Sequence, residues 1–231
     1  MNSQFLPSSF LNLQRTEHAK LFDLDQPVWF ALKAIAPYLE SNLNPAMAGK
    51  RLGQSFIGEN VFIGEGTLVE HGAVIKGPAW IGSNSQIRSG AYIRENVLIG
   101  NGVVIGNSCE LKNSIVFDQA EIPHFNYVGD SILGFKSHLG AGVILSNVKL
   151  DRQEVILKLD GGKVLPTGLR KFGAVVGDHS EIGCHSVLNP GSLLGRHCIM
   201  YPGVQWRGIL QDHQIVKLTQ HTQVIERNEV T

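Results

Sequence analysis

Three cations recur in the sequence at a constant interval of eighteen residues, at Lys76, Arg94 and Lys112. Arginine offers a planar fork that matches a phosphate group, and lysine offers a mobile point charge. If the fold places these side chains beside one another, their mutual repulsion has to be relieved, and an anion is the simplest way to relieve it. The spacing therefore predicts a phosphate site, and a rim of solvated, splayed side chains is the alternative.

The element that would bring positions eighteen apart together is a solenoid with a six-residue repeat. Neither an α-helix nor an ordinary strand keeps a period of six on one face. We therefore predict an all-β fold, a single-stranded parallel β-helix in which three hexads make one coil and coils lie about 4.8 Å apart. Aliphatic anchors occupy every sixth position without a gap, at Ile57, Ile63, Val69, Ile75, Ile81, Ile87, Ile93, Ile99, Ile105 and Leu111.

The repeat divides the chain into three parts. These are a helical N-terminal extension or cap (1–52), the β-helix domain (53–210) with loop insertions near 119–131 and 150–174, and a C-terminal tail (211–231). A helix is predicted to begin at Asp25-Gln26-Pro27, where a cap residue precedes a proline. We expect the extension to cover one end of the solenoid, because that end otherwise exposes an open strand edge.

Composition bounds the partners and the compartment. Lys and Arg total 20 and Asp and Glu total 20, so no global field attracts nucleic acid or an anionic membrane. The three cysteines are few and odd in number. We expect neither a leader nor a membrane-spanning segment, because no basic region followed by a long apolar run opens the sequence and no stretch of about 20 apolar residues occurs. We expect a cytoplasmic protein without nucleic-acid or membrane partners, in which Cys109 and Cys198 fill inward positions of the core.

Three short motifs carry a family resemblance: the segment from His124 to Asp130 reads H-x-x-Y-x-G-D, Gly140-Ala141-Gly142 is followed by Asn147, and Glu110 stands two residues before a lysine. With these motifs the chain resembles the acetyltransferase domain of the bacterial bifunctional N-acetylglucosamine-1-phosphate uridylyltransferase/glucosamine-1-phosphate acetyltransferase. That family has a left-handed β-helix. The resemblance therefore implies a left-handed coil and a homotrimer whose pockets lie between neighbouring prisms.

The resemblance also implies an activity, which is acetyl-CoA-dependent N-acetylation of an amino-sugar phosphate in sugar-nucleotide and cell-envelope biosynthesis. His124 matches the general base and Glu110 the carboxylate that orients it, and an imidazole with a pKa of about 6.5 suits that task. Substrate contacts are implied at Arg94, Lys112, Tyr127, Asn147, His138 and Lys171. Contacts to acetyl-CoA are implied at Ala141 and Cys184, and no metal is predicted.

Three positions depart from the family pattern and keep alternatives open. His138 stands where the family has a sugar-binding Asn, Val148 where a Tyr is usual, and Cys184 where a Ser is usual. The departures are also consistent with a non-catalytic module that binds a sugar phosphate or sugar nucleotide, or with a sugar O-acyltransferase. In an O-acyltransferase His124 would serve as the base for a hydroxyl instead of an amine. The structural alternative for His124 is a loop histidine held by backbone groups.

Two further groups allow a reactive and a structural interpretation. Cys184 falls on an outward position, where an exposed thiol without a neighbouring base is favoured over a nucleophile. His179 and His197 are eighteen residues apart and should stack, as in the zinc-binding γ-carbonic anhydrases of the same solenoid class. Because no third histidine with the required spacing is found, polar turn residues are favoured over a metal site.

Overall fold

The structure, a computed structural model, describes residues 3–226, which fold around a prism of three parallel sheets. Face 1 consists of Ala46–Met47, Val61–Ile63, Ala79–Ile81, Val97–Ile99, Ser114–Val116, Ile132–Leu133, Ala174–Val176, Ser192–Leu194 and Ile209–Leu210. Face 2 consists of Lys50–Leu52, Leu68–Glu70, Gln86–Ile87, Val104–Asn107, Glu121–His124, His138–Leu139, Glu181–Ile182, Ile199–Met200 and Ile215–Val216. Face 3 consists of Phe56–Ile57, Val74–Ile75, Tyr92–Ile93, Glu110–Lys112, Tyr127–Gly129, Ile144–Leu145, Val187–Leu188 and Gln205–Trp206.

The chain passes from face 1 to face 2 to face 3 in every coil, and the coil is left-handed, so the predicted fold class is confirmed. The anchors from Ile63 to Leu111 are fully buried along the prism axis, and Ile57 is partly buried at its first coil. Cys109 and Cys198 are also buried inside the prism, as predicted, and burial raises the pKa of both thiols. The predicted 211–231 tail contains the strand Ile215–Val216, and its last residues, 227–231, lie outside the described residues.

The predicted loop near 119–131 is wrong, because this segment stays within the coil. Glu121–His124 and Tyr127–Gly129 are regular strands of faces 2 and 3. The coil loses one residue where face 3 turns into face 1, so Ser114 pairs with Val97 seventeen residues earlier. A shortened corner therefore shifts the six-residue period without expelling the chain from the solenoid.

The second predicted insertion, near 150–174, does leave the coil. It carries an antiparallel hairpin of Ile156–Lys158 and Val164–Pro166, joined through a 3-10 turn at Asp160–Gly162. The insertion projects from the corner between faces 3 and 1. Val155, Leu157 and Phe172 anchor it in a second apolar core that lies outside the prism.

The N-terminal extension forms most of that second core. It contains the α-helix Ala31–Asn42 and 3-10 turns at Ser3–Phe5, Pro7–Ser9, Leu13–Arg15, Ala19–Leu21 and Val28–Phe30. Its apolar side chains pack against outward residues of face 1, including Leu98, Ile132 and Val175. The expectation that it covers one end of the solenoid is therefore wrong. Face 1 is apolar on its outer side as well, and burying that side requires a layer along the flank.

His18 makes the docking of this extension sensitive to pH. Its Nδ1 lies 3.1 Å from the Tyr38 hydroxyl, its ring lies edge-on to Trp80, and burial lowers its pKa to about 4. A released His18 would titrate near 6.5, so the docked form loses up to about 3 kcal/mol as pH falls from that value toward 4. We expect proteolysis of the extension to accelerate over this range in the wild type. The pH dependence should flatten in His18→Asn, and an equally steep one there would contradict the assignment.

Within residues 3–226, no helix has the length and apolar character needed to cross a bilayer.

Candidate functional site

Arg94 stands at the corner between faces 3 and 1, directly after the strand Tyr92–Ile93. Its guanidinium Nη1 lies 3.0 Å from Glu110 Oε1, and Nη2 lies 3.3 Å from Glu95 Oε1. The hydrogen bond to Glu110 raises the pKa of Arg94. Tyr92 and Glu110 are register partners, so positions eighteen residues apart are neighbours here, as the repeat predicts.

Lys112 follows one coil later on the same corner, in a cluster of polar side chains around Asp130. The Lys112 Nζ is 3.7 Å from Asp130 Oδ2, and both side chains are largely buried. Asn113 Nδ2 donates to Asp130 Oδ1 over 3.0 Å, and Asn147 Nδ2 donates to Asp130 Oδ2. The buried carboxylate thus fixes Lys112 and Asn147 relative to each other.

These contacts correct one step of the sequence argument. The repulsion between Arg94 and Lys112 does not require an external anion, because protein carboxylates already lie beside both cations. Glu95, Glu110 and Asp130 were not recognised as the partners, since the interval of eighteen residues places like positions together but does not say which neighbouring side chains turn toward them. A phosphate at this corner would have to compete with the existing ion pairs.

Tyr127 occupies the outer side of face 3, in register with Glu110. Burial, followed by the nearby charges of Asp130 and Glu110, raises the pKa of its hydroxyl. Gly129 makes room for this arrangement. A Cβ there would fall 2.6 Å from the Tyr127 hydroxyl and 2.7 Å from Asn147 Nδ2, so a side chain would displace both groups. Tyr127 and Asn147 therefore converge over a glycine beside Lys112.

His124 lies at the other edge of face 3, on the corner where face 2 ends. It is exposed, its backbone N–H donates to Asn126 Oδ1 over 3.0 Å, and its ring is 6.3 Å from the exposed Phe125. Asn126 is buried and donates to the Gly140 carbonyl over 2.7 Å, which holds the backbone of this turn in place. The imidazole is thus presented to solvent on a fixed backbone.

The structure does not bring His124 and Glu110 into contact within one chain. No hydrogen bond or ion pair connects their side chains among the described residues, and Glu110 binds Arg94 instead. A strand of three residues separates the corner of His124 from that of Lys112, a span of roughly 10 Å. The catalytic roles of both residues stay predictions.

Ala141 lies close to His124, in the next coil of the same corner. The Ala141 carbonyl accepts from the His185 N–H over 2.8 Å. A Cβ on Gly142, whose φ is +72°, would fall 2.7 Å from His185 Nδ1 and 3.4 Å from the Phe125 ring. Ala141, one of the two residues predicted to contact acetyl-CoA, therefore shares a corner with His124.

His138 and Cys184 lie in an apolar groove of about 340 Å³ on face 2, which Tyr201 and Pro202 also line. His138 Nε2 is 3.9 Å from Glu121 Oε2, and Cys184 is exposed. Lys171 lies elsewhere, on the insertion, where its backbone forms an antiparallel bridge with Val148 and its side chain is exposed. The predicted substrate residues His138 and Lys171 are therefore on different sides of the prism.

The predicted stacking of His179 on His197 is confirmed, with ring centroids 4.8 Å apart and planes 4° from parallel. His213 continues the column at 4.8 Å and was missed, because Ile215 pairs with Ile199 only sixteen residues earlier. Burial, followed by the neighbouring His197, lowers the pKa of His179. Across the described part of the chain, no three His, Cys, Asp or Glu side chains converge as a metal site would require.

Two family models match the chain. The model described as "Bacterial transferase hexapeptide (six repeats)" matches residues 55–94, and the model described as "GMPPB C-terminal domain" matches residues 75–166. Residues 55–94 therefore carry hexapeptide repeats like those of bacterial transferases, and the fold that bears them is a left-handed β-helix.

Two curated relatives carry the resemblance further. The chain is 36% identical over 93 residues to a bifunctional sugar-1-phosphate nucleotidylyltransferase/acetyltransferase from Sulfurisphaera tokodaii. This match covers 40% of the chain and 23% of the relative. It is 36% identical over 115 residues to the bifunctional protein GlmU from Methanococcus vannielii, covering 46% and 27%. The chain thus spans about a quarter of each relative's length.

One solved structure with a similar shape is a UDP-N-acetylglucosamine acyltransferase from Campylobacter jejuni. The TM-score is 0.43 at 15% identity, over 70% of this chain and 68% of that chain.

Proposed function

We propose that this chain is an acyltransferase that moves an acetyl group from acetyl-CoA to the amino group of an amino-sugar phosphate, with glucosamine 1-phosphate as the first substrate to test. The observation that carries the proposal is the arrangement of Arg94, Lys112, Tyr127 and Asn147 along one edge of face 3, with His124 at the other edge. The curated relative named as a nucleotidylyltransferase/acetyltransferase supports it.

The chemistry assigns a task to each edge. At the phosphate edge, Arg94 and Lys112 bind the sugar phosphate, while Tyr127 and Asn147 orient the sugar. At the opposite edge, His124 removes a proton from the substrate ammonium. The freed amine then attacks the thioester carbonyl, so that a C–N bond forms and the C–S bond breaks. The acylated nitrogen loses its second proton, the thiolate gains one, and coenzyme A leaves as a thiol.

The remaining site residues complete the proposed pocket. Ala141 and Cys184 lie along the path of acetyl-CoA, and His138 and Lys171 contact the substrate. We propose a homotrimer, because the exposed ring of His124 and the phosphate edge lie on separate corners of one prism and a neighbouring prism can bring such corners together. We further propose that the protein acts in the cytoplasm, in UDP-N-acetylglucosamine biosynthesis.

The direct test is release of the coenzyme A thiol from acetyl-CoA, with and without glucosamine 1-phosphate. In this assay Arg94→Gln should raise the KM for the sugar phosphate about 10- to 100-fold, because a charged hydrogen bond contributes about 1.5–3 kcal/mol. Lys76→Gln is the matched control, since Lys76 occupies the same corner one coil earlier and rests over the Tyr92 ring. Equal effects of the two substitutions would show that general positive charge, rather than a phosphate site, explains the binding.

A second candidate is a non-catalytic module that binds a sugar nucleotide. It is favoured by the ion pair of Glu110 with Arg94 in place of a contact with His124, and by the match to a domain at the C-terminal end of another protein. Calorimetric titration separates the two candidates. Tight sugar-nucleotide binding without measurable acetyl-CoA binding or thiol release would support the module and overturn the enzyme.

A further inference from the structure

The insertion builds a second cationic pocket on the corner between faces 3 and 1. This pocket has a volume of about 290 Å³, and its lining consists of Arg152, Arg170, Lys171 and Val148. Every polar side chain in the lining is a cation. The pocket follows the corner of Arg94 and Lys112, about two coils or roughly 10 Å farther along the prism.

The backbone holds the two ends of the insertion together at this pocket. Val148 and Lys171 form an antiparallel bridge, and the Phe172 N–H donates to the Asn147 carbonyl over 2.9 Å. Phe172 is fully buried in the second apolar core. Arg152 therefore approaches from the outgoing segment while Arg170 and Lys171 approach from the returning one, on a base that packing keeps in place.

The cations of this pocket lack the compensation seen at the other corner. The neighbouring acidic side chains are paired with other groups. Asp151 Oδ2 lies 3.0 Å from Lys149 Nζ, and Glu154 accepts a hydrogen bond from the Gly168 N–H. Among the described side chains, no carboxylate lies within 4.0 Å of the charged groups of Arg152, Arg170 or Lys171. Three like charges around one concave pocket repel each other, and this repulsion favours an anionic ligand.

We propose that this pocket binds the diphosphate group of a small-molecule ligand. Two guanidinium forks and one ammonium provide enough donors for the several oxygens of a diphosphate, and arginine binds such oxygens in pairs. Val148 is partly exposed and Leu150 on the adjoining segment is fully exposed, so apolar surface is available beside the charges for the rest of the ligand. Apart from Lys171, which the proposed function also assigns to the substrate, the site is separate from the phosphate position proposed at Arg94. Its test does not depend on turnover.

The proposal is tested by calorimetric titration of the full chain with inorganic pyrophosphate. Wild-type protein should show saturable binding that weakens with added salt, and Arg152→Gln/Arg170→Gln should weaken it at least about tenfold. The matched control is Lys158→Gln/Lys163→Gln, which removes two exposed cations of the same insertion outside this pocket. Circular dichroism checks the folding of both variants, and Arg152→Lys/Arg170→Lys should restore part of the affinity.

Loss of affinity in the control equal to that in the double Arg variant would overturn the proposal, as would a wild type that does not bind pyrophosphate. Two further ligands distinguish the sources of the diphosphate. Adenosine 3′-phosphate 5′-diphosphate represents coenzyme A, and uridine diphosphate represents a sugar nucleotide. If one nucleotide binds more tightly than pyrophosphate and the Arg substitutions weaken its binding, that nucleotide is the source of the diphosphate. If both nucleotides bind only as tightly as pyrophosphate, the pocket recognises the diphosphate alone. His124→Ala should bind pyrophosphate normally, so failure of acyl transfer and failure of this site are distinguishable.

Discussion

Replacing His124 with alanine should lower the kcat of acetyl transfer by about 100- to 10,000-fold, which is the contribution expected of a positioned general base. The KM for the sugar phosphate should change little, because Arg94 and Lys112 bind the phosphate at the opposite edge of face 3. The measurement is thiol release at a series of sugar-phosphate concentrations.

The matched control for this prediction is His71→Ala. His71 is exposed on the same corner, between faces 2 and 3, three coils before His124. Its removal should leave kcat unchanged. Turnover by His124→Ala at the wild-type rate would remove His124 from the mechanism. If His185→Ala abolished turnover instead, the base would be the neighbouring imidazole, which lies beside Phe125 and Gly142.

The solenoid could be predicted from the sequence because one physical rule governs almost every coil. An inward aliphatic residue at each sixth position is buried whichever side chains surround it, and the structure buries Ile63 through Leu111 accordingly. The same rule failed at 119–131, because the corner that precedes this segment, between Lys112 and Ser114, is one residue shorter. A missing residue in a turn leaves no mark of its own, and only the strand register reveals it.

The docking of the extension was missed although the sequence contains a signal for it. Strands of face 1 such as Val97–Ile99 and Ala174–Val176 are apolar at three consecutive positions, whereas face 3 has Glu110 between its inward residues. Continuous apolar strands indicate a sheet that is buried on both sides. Pro27 and the following helix do not by themselves indicate whether the extension covers an end or a flank of the solenoid.

The candidate site was predictable as a set of positions but not as a set of contacts. Arg94 and Lys112 share a corner as the interval of eighteen residues requires, and Tyr127 and Asn147 lie beside them. Which carboxylate neutralises which cation depends on side-chain rotamers, and a repeat does not determine them. The ion pair between Glu110 and Arg94 could therefore be identified only from the structure.

Replacing Trp29 with alanine should lower the free energy of unfolding by about 3–5 kcal/mol, the cost usual for removing a large buried aromatic side chain. Trp29 is 1% exposed, packs edge-on to Phe5 at 5.5 Å and lies 5.9 Å from Phe172. Its Nε1 donates to the Thr167 carbonyl over 3.2 Å. The residue thus joins the extension to the insertion, and urea unfolding measures its contribution.

Trp29→Phe separates packing from hydrogen bonding, because it keeps an aromatic ring but leaves the Thr167 carbonyl without its donor. We expect this substitution to lower the free energy of unfolding by a smaller amount, about 1–3 kcal/mol.

The effect of Trp29→Ala should also reach the second cationic pocket. Phe172, which Trp29 supports, holds the insertion to Asn147 through its backbone N–H. Pyrophosphate affinity should therefore fall in Trp29→Ala and be retained in Trp29→Phe. If Trp29→Ala cost less than about 1 kcal/mol, or left the hairpin as resistant to proteolysis as in the wild type, the extension and the insertion would not form one cooperative layer on face 1.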